Sequence, residues 1–155
     1  MRLNSNSVAQ THSIGQRLAQ QLRPGDVLLM LGDMGAGKSE LTRGIAKGLG
    51  ITGYVTSPTF TILQVHDNGR MPLYHFDWYR LSDVEELYEL SMDEYLYGDG
   101  VSVIEWPSRA EEAIPEQYLE VELIPAGDNE RIIELRPCGG FRTLDKDALQ
   151  QEGDA

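Results

Sequence analysis

The sequence predicts a single α/β domain with a mostly parallel central sheet and an antiparallel strand pair near the C-terminus. Three observations predict it. Val27-Leu28-Leu29-Met30-Leu31 is a short, wholly apolar run, the length of a strand buried on both faces. It leads into Gly32-Asp33-Met34-Gly35-Ala36-Gly37-Lys38-Ser39, a loop of the pattern G-x-x-x-x-G-K-[ST]. Leu41, Ile45 and Leu49 then recur every fourth residue, the spacing of an amphipathic helix that begins inside the loop.

Strand, glycine loop and helix in that order make a phosphate-binding device, so the expected fold is P-loop NTPase-like. The backbone N–H groups of Gly35, Ala36 and Gly37 and of the helix N-terminus point at an anion, and Lys38 adds a mobile positive charge. Ser39 is placed to give its hydroxyl to Mg²⁺. The ligand this implies is a nucleoside triphosphate. An ordinary glycine turn that happens to contain lysine is the plain alternative, and it explains neither the strand before the loop nor the helix after it.

The remaining elements follow in chain order. Ser7 and Gln10 have the spacing of a capping box, and Val8, Thr11, Ile14, Leu18 and Leu22 form the stripe of an N-terminal helix stopped by Pro24-Gly25. Gly48 and Gly50 end the helix after the loop. Thr56-Ser57-Pro58-Thr59-Phe60-Thr61 is a hydroxyl-rich bend leading to a strand from Thr61 to Val65, and Asp67-Asn68-Gly69 is a hairpin turn into a strand from Met71 to Asp77. Ser82-Asp83-Val84-Glu85 reads as a second capping box opening a helical stretch with Leu87, Leu90 and Leu96. Val101–Glu105 is a β-branched strand, and Leu119–Ile124 and Ile132–Leu135 form a strand pair around Ala126-Gly127-Asp128-Asn129.

At 155 residues and 41% hydrophobic content the chain has material for one core. The domain is placed at residues 1–140, and the acidic remainder, 141–155, is expected to be a disordered tail. No run approaches the length of a membrane span, and the polar start lacks the apolar stretch of a signal peptide. Cys138 is the single cysteine. A cytoplasmic protein with no membrane association is expected. The formal net charge is −12, with three lysines in all. A chain gripping nucleic acid by its phosphates would need clustered Lys and Arg, so any nucleic-acid role would run through a partner. Plain solubility explains the acidity equally well.

Chemistry on a Mg²⁺-bound triphosphate needs carboxylates at the ends of strands beside the loop strand. Asp77, closing Tyr74-His75-Phe76-Asp77, and Glu105, closing Val103-Ile104-Glu105, are the candidates. Glu105 follows the more continuous apolar run and is the favoured Walker-B-like group on Mg²⁺. Asp77 is then the second acid, positioning a metal-bound or attacking water. Each could instead cap a helix or pair with an arginine. Thr59 and Thr61 read either as sensors of the γ-phosphate or as turn residues. Arg80 and Arg109 could neutralise charge on the transferring phosphoryl group, or pair with nearby acids. His75 reads as a plain strand residue. Trp106 could pack on the nucleotide or the loop, or belong to the core. The guanine-reading N-K-x-D and D-x-x-G elements do not occur, so adenine or little base selectivity is expected.

Together these motifs resemble one family, the bacterial TsaE (YjeE) proteins. The matching segments are the glycine loop, Ser57-Pro58-Thr59-Phe60-Thr61, Tyr74-His75-Phe76-Asp77-Trp78-Tyr79-Arg80-Leu81 and Glu105-Trp106-Pro107, in matching order across roughly residues 3 to 137. The resemblance implies a small ATPase needed for threonylcarbamoyladenosine in tRNA, binding ATP and Mg²⁺ and hydrolysing ATP slowly when alone. It implies action with the TsaD–TsaB heterodimer, in which TsaD transfers the threonylcarbamoyl group to adenosine 37 of ANN-reading tRNAs. By the same resemblance Lys38 and Ser39 would hold phosphate and Mg²⁺, Glu105 would hold Mg²⁺, Asp77 would be needed for hydrolysis and Trp106 would lie near the nucleotide. Thr11 resembles a family threonine on the adenine side. One departure stands out: a second hydroxyl residue usually follows the serine position, and here it is Glu40, facing the α-phosphate side. Either its side chain turns to solvent or a cation pairs with it. Two other classes stay open, a non-catalytic ATP-gated adaptor and a small-molecule kinase.

Overall fold

A computed structural model of the chain describes residues 1–33, 35–53, 55 and 61–150. Among them seven strands form one sheet: β1 (Arg2–Ser5), β2 (Val27–Leu31), β3 (Leu63–His66), β4 (Leu73–Asp77), β5 (Val101–Glu105), β6 (Tyr118–Pro125) and β7 (Arg131–Cys138). Their spatial order is β1-β7-β6-β2-β5-β4-β3. The central pairings β6–β2, β2–β5 and β5–β4 are parallel, and the flanking pairings β1–β7, β7–β6 and β4–β3 are antiparallel. Two long helices, α1 (Val8–Ala19) and α2 (Lys38–Gly48), lie with three short ones: α3 (Glu85–Glu89), α4 (Asp93–Leu96) and α5 (Lys146–Leu149). The expected α/β sheet, with its terminal antiparallel pair, is the one observed.

The sheet is covered on both faces only around β2, β5 and β4. Leu28 and Met30 of β2 join the core under α1 and α2, while Val27 and Leu29 enter a second cluster with Leu87, Met92 and Leu96. That double burial is why β2 reads as an unbroken apolar run. On β6 and β7 one face is apolar, with Leu119, Val121, Leu123, Ile133 and Leu135 in the first core. The other face is solvated. There Arg136 binds Glu120 at 3.0 Å, Glu122 at 3.0 Å and Glu134 at 2.7 Å.

The α1–α2 contact sets where α2 starts, and it depends on close backbone approach. A Cβ on Gly44 would lie 2.2 Å from the His12 carbonyl oxygen, so only glycine allows this crossing. The capping expectation for α1 holds: Ser7 Oγ accepts from Gln10 N at 3.0 Å, although Gln10 Oε1 reaches back to Asn6 N and not to Ser7. The helix ends at Ala19, short of Leu22.

Three expectations are corrected, and one element was not anticipated. The polar start is a strand, β1, because Leu3 and Ser5 alternate inward while the backbone pairs with β7. The strand expected from Thr61 begins at Leu63, after Ile62 takes a left-handed φ of 66°. The stretch after Ser82 is two short helices broken at Ser91 (φ 54°), and the acceptor for Glu85 N is Asp83 Oδ1 at 3.1 Å rather than Ser82. Finally, residues 141–150 are ordered rather than a disordered tail. Phe141, Leu144 and Leu149 pack into the first core, and Asp145 caps α5 by accepting from Ala148 N at 3.2 Å. Arg142 grips Asp26 at 2.9 and 2.6 Å, and these hydrogen bonds raise its pKa above the ordinary guanidinium value. Three widely spaced apolar residues did the work that composition hid. Residues 151–155 lie outside the described residues. No helix among the described residues is long and apolar enough to cross a membrane.

Leu149 is fully buried, so Leu149→Ala is expected to lower unfolding free energy by about 2–4 kcal/mol. Urea denaturation measures this; an unchanged midpoint would return the segment to the status of a tail.

Candidate functional site

Three parallel strands end side by side, and the site is built on their carboxyl ends. Met30 of β2 is in register with Glu105 of β5, and Glu105 is in register with Asp77 of β4. The register that aligns β4 with β5 is reinforced at its far end, where Tyr74 donates its hydroxyl to Asp99 Oδ1 at 2.6 Å. Burial, and then that hydrogen bond, push the Tyr74 hydroxyl up to about 12, so it stays a donor at neutral pH.

From β2 the chain turns through the glycine loop into α2. Gly37 is the N-cap, with φ 105°, a left-handed conformation that costs glycine nothing. No side chain caps this end, which leaves the first N–H groups of α2 to an external acceptor. Lys38 is buried to 8% exposure, and its Nζ lies 4.7 Å from the centre of the Trp106 ring. Trp106 itself holds φ 58°, a left-handed conformation that is costly for a bulky residue and is followed by Pro107. The result is a stack: Lys38 on Trp106, Trp106 against Tyr79 at 4.9 Å, and Arg109 over Tyr79 at 5.4 Å.

Asp77 and Glu105 are each 5% exposed. Buried carboxylates need partners, and each has one. Asp77 Oδ1 accepts from Tyr79 N at 3.0 Å. His75 Nε2 lies 2.7 Å from Glu105 Oε2, donating across two neighbouring strands within the sheet. His75 was expected to be a plain strand residue; it is the polar anchor of Glu105.

A cleft of about 460 Å³ brings the predicted groups together: Gly35, Gly37, Lys38, Ser39, Asp77, Glu105 and Trp106 all line it, with Glu40 at its edge. Ala36, within the loop, is buried, and its N–H, expected to face an anion, donates instead to Asp33 O at 3.1 Å. A second hollow of about 370 Å³ opens on the other side of Lys38 and Trp106, between the ends of β2 and β6. Glu40 pairs with Arg43, three residues on along α2, which answers the question of its charge in favour of a cation partner. Thr11 does not join the cleft. It is buried, with Oγ1 2.6 Å from Ser5 Oγ, while Val8, one turn earlier on α1, lines the cleft instead. Thr61 and Arg80 are exposed, and Ser57 to Phe60, with Thr59, lie outside the described residues.

Arg131, at the start of β7, also lines the cleft and was not anticipated. Its Nε donates to the Ala36 carbonyl at 2.8 Å. Nothing local in the sequence marks it, since the contact spans ninety-five positions. Among the described residues no group of three or more His, Cys, Asp and Glu side chains is placed to hold a metal ion. The donors at hand are one hydroxyl, Ser39, and two strand-end carboxylates. Such a set suits a hard cation that takes its other ligands from water and from a phosphate.

His75→Ala would leave the buried Glu105 carboxylate without its donor. A loss of about 2–3 kcal/mol is expected in urea unfolding, and His75→Gln, whose amide nitrogen reaches a similar point, is expected to recover most of it.

Comparison with known proteins places the chain. The family model described as "Threonylcarbamoyl adenosine biosynthesis protein TsaE" matches residues 5–133. The tRNA threonylcarbamoyladenosine biosynthesis protein TsaE of Bacillus subtilis (strain 168) is 45% identical over 130 residues, covering 84% of this chain and 81% of that protein. The protein of the same name from Treponema pallidum (strain Nichols) is 40% identical over 133 residues, covering 86% of this chain and 98% of that one. Among solved structures, the crystal structure of Bacillus subtilus YdiB superposes with a TM-score of 0.77 at 38% identity, covering 90% of this chain and 86% of that one. With a strand–loop–helix site on matching architecture and a family model spanning most of its length, the chain belongs to the TsaE family of tRNA threonylcarbamoyladenosine biosynthesis proteins.

Proposed function

We propose that this chain is a P-loop NTPase-like, weak Mg²⁺-dependent ATPase of the cytoplasm that serves threonylcarbamoylation of adenosine 37 in ANN-reading tRNAs. It acts on a TsaD–TsaB complex and meets tRNA only through those partners. One observation carries the catalytic half of this reading: the glycine loop with Lys38 and Ser39 faces two buried carboxylates from adjacent strand ends within one cleft. The curated relatives, named for tRNA threonylcarbamoyladenosine biosynthesis, support the other half.

Each residue has a role that its surroundings suit. The N–H groups of the loop and of the α2 N-terminus bind the β- and γ-phosphates of ATP, and Lys38 neutralises charge as it builds on the transferring phosphoryl group. Ser39 and Glu105 would hold Mg²⁺, with His75 keeping the Glu105 carboxylate turned to its task. Mg²⁺, when bound, would supply positive charge that offsets the negative charge of the phosphates. Asp77 has Oδ1 held by the Tyr79 amide, which orients the carboxylate so that Oδ2 can position the attacking water. Trp106 forms an apolar wall beside Lys38 that limits water around the phosphates. Glu40, tied to Arg43, sits at the α-phosphate side with its charge offset. The net charge of −12 fits docking on a basic protein surface better than gripping tRNA.

Two substitutions separate the parts. Lys38→Ala is expected to weaken ATP binding at least about tenfold and to fail to restore threonylcarbamoyladenosine in depleted cells. Asp77→Ala is expected to bind ATP within a few-fold of wild type while hydrolysis falls about 10²–10⁴-fold. Full restoration of the modification by Asp77→Ala would favour the ATP-gated adaptor, and transfer of labelled γ-phosphate to anything but water would favour a kinase.

A further inference from the structure

We propose that Arg131 is the positioning residue of the glycine loop: from the side of the cleft it ties the Gly35 and Ala36 carbonyls to the β6–β7 turn and so fixes the orientation of the Gly37 N–H before any ligand arrives. Its guanidinium is half-buried between two sets of carbonyls. On one side Nε donates to Ala36 O at 2.8 Å and Nη2 to Gly35 O at 3.2 Å. On the other, Nη1 donates to Glu130 O at 2.8 Å, with Gly127 O at 3.2 Å and Asp128 O at 3.4 Å.

The geometry of the peptide bond turns this clamp into a statement about the site. In a trans peptide the C=O and the following N–H point in opposite directions. Fixing Ala36 O on Arg131 therefore aims the Gly37 N–H away from the guanidinium. The Ala36 N–H, opposite the Gly35 carbonyl, is already committed to Asp33 O at 3.1 Å, which closes the turn of the loop. Bare carbonyl oxygens beside the cleft would repel an anion, and the clamp occupies two of them with a cationic donor. A loop carrying Gly35 and Gly37 has much conformational freedom to lose, and Arg131 removes part of that freedom in advance. Only a planar fork with several fixed donors can serve both sets of carbonyls at once; a lysine at this place keeps the charge but not the span.

This inference rests on the ATP-binding reading only for its affinity arm. The primary test is hydrogen exchange of the nucleotide-free protein, comparing wild type with Arg131→Ala and Arg131→Lys. Amides of Gly35 to Lys38 are expected to exchange at least about tenfold faster in both variants, with β2 and α1 amides unchanged. In the affinity arm, the Kd for ATP is expected to rise about tenfold in Arg131→Ala with kcat changed less than about twofold, and Arg131→Lys is expected to recover only part of the affinity. Unchanged loop exchange overturns the proposal, as does an Arg131→Lys protein indistinguishable from wild type, since charge alone would then suffice. If wild type itself fails to bind ATP, that failure falls on the function proposed above, and the exchange arm still decides the clamp.

Discussion

The parallel pairing of β2 with β5 and of β5 with β4 is the constraint on which the rest of the molecule depends. In-register pairing at Met30, Glu105 and Asp77 makes three strands end on one line. A parallel sheet must be covered on both faces, so β2 sends alternate side chains into two separate cores and α1, α2, α3 and α4 are recruited to cover them. Because the strands run the same way, the segments that leave β2, β4 and β5 all start from one edge of the sheet, and a crevice forms there. The glycine loop, Asp77, Glu105 and Trp106 meet for that reason alone. A one-residue slip between β4 and β5 would turn the side chain of Asp77 to the opposite face.

Holding buried charge in that crevice takes specific partners. Lys38, Asp77 and Glu105 are nearly inaccessible, and a bare ion in such a place is strongly disfavoured. The structure answers with an aromatic face for Lys38, a backbone amide for Asp77 and the imidazole of His75 for Glu105. Trp106 accepts a left-handed backbone to take part, and strain of that kind gathers at functional sites. Arg131 performs the matching service for the loop, satisfying the Gly35 and Ala36 carbonyls and leaving the Gly37 N–H, opposite the second of them, turned away from the guanidinium.

Much of this was legible in the chain because it is local. The loop and its flanking strand and helix lie within about twenty consecutive residues, and apolar runs ending in Asp77 and Glu105 marked the strand-end acids without any knowledge of the sheet. What escaped was non-local. Arg131 reaches Ala36 across the sheet, and His75 finds Glu105 on the neighbouring strand. Residues 141–150 looked like a tail because acidic composition outweighs three apolar residues in a local reading, yet Phe141, Leu144 and Leu149 land on a core assembled elsewhere. Thr11 shows the converse: its place on α1 was read correctly, but the facing residue, Ser5, belongs to a strand whose existence depends on β7.

By itself the sequence determined the ligand-shaped loop, the strand-end carboxylates and the family resemblance, since periodicity and motif spacing are properties of neighbouring residues. Only the tertiary structure decided which face of each helix approaches the loop, and that His75 and Arg131 support groups far away in the chain. The reason is physical. Hydrophobic pattern specifies which side of an element is buried, but side-chain hydrogen bonds between elements depend on strand order and register, and those emerge only when the whole sheet closes on its cores.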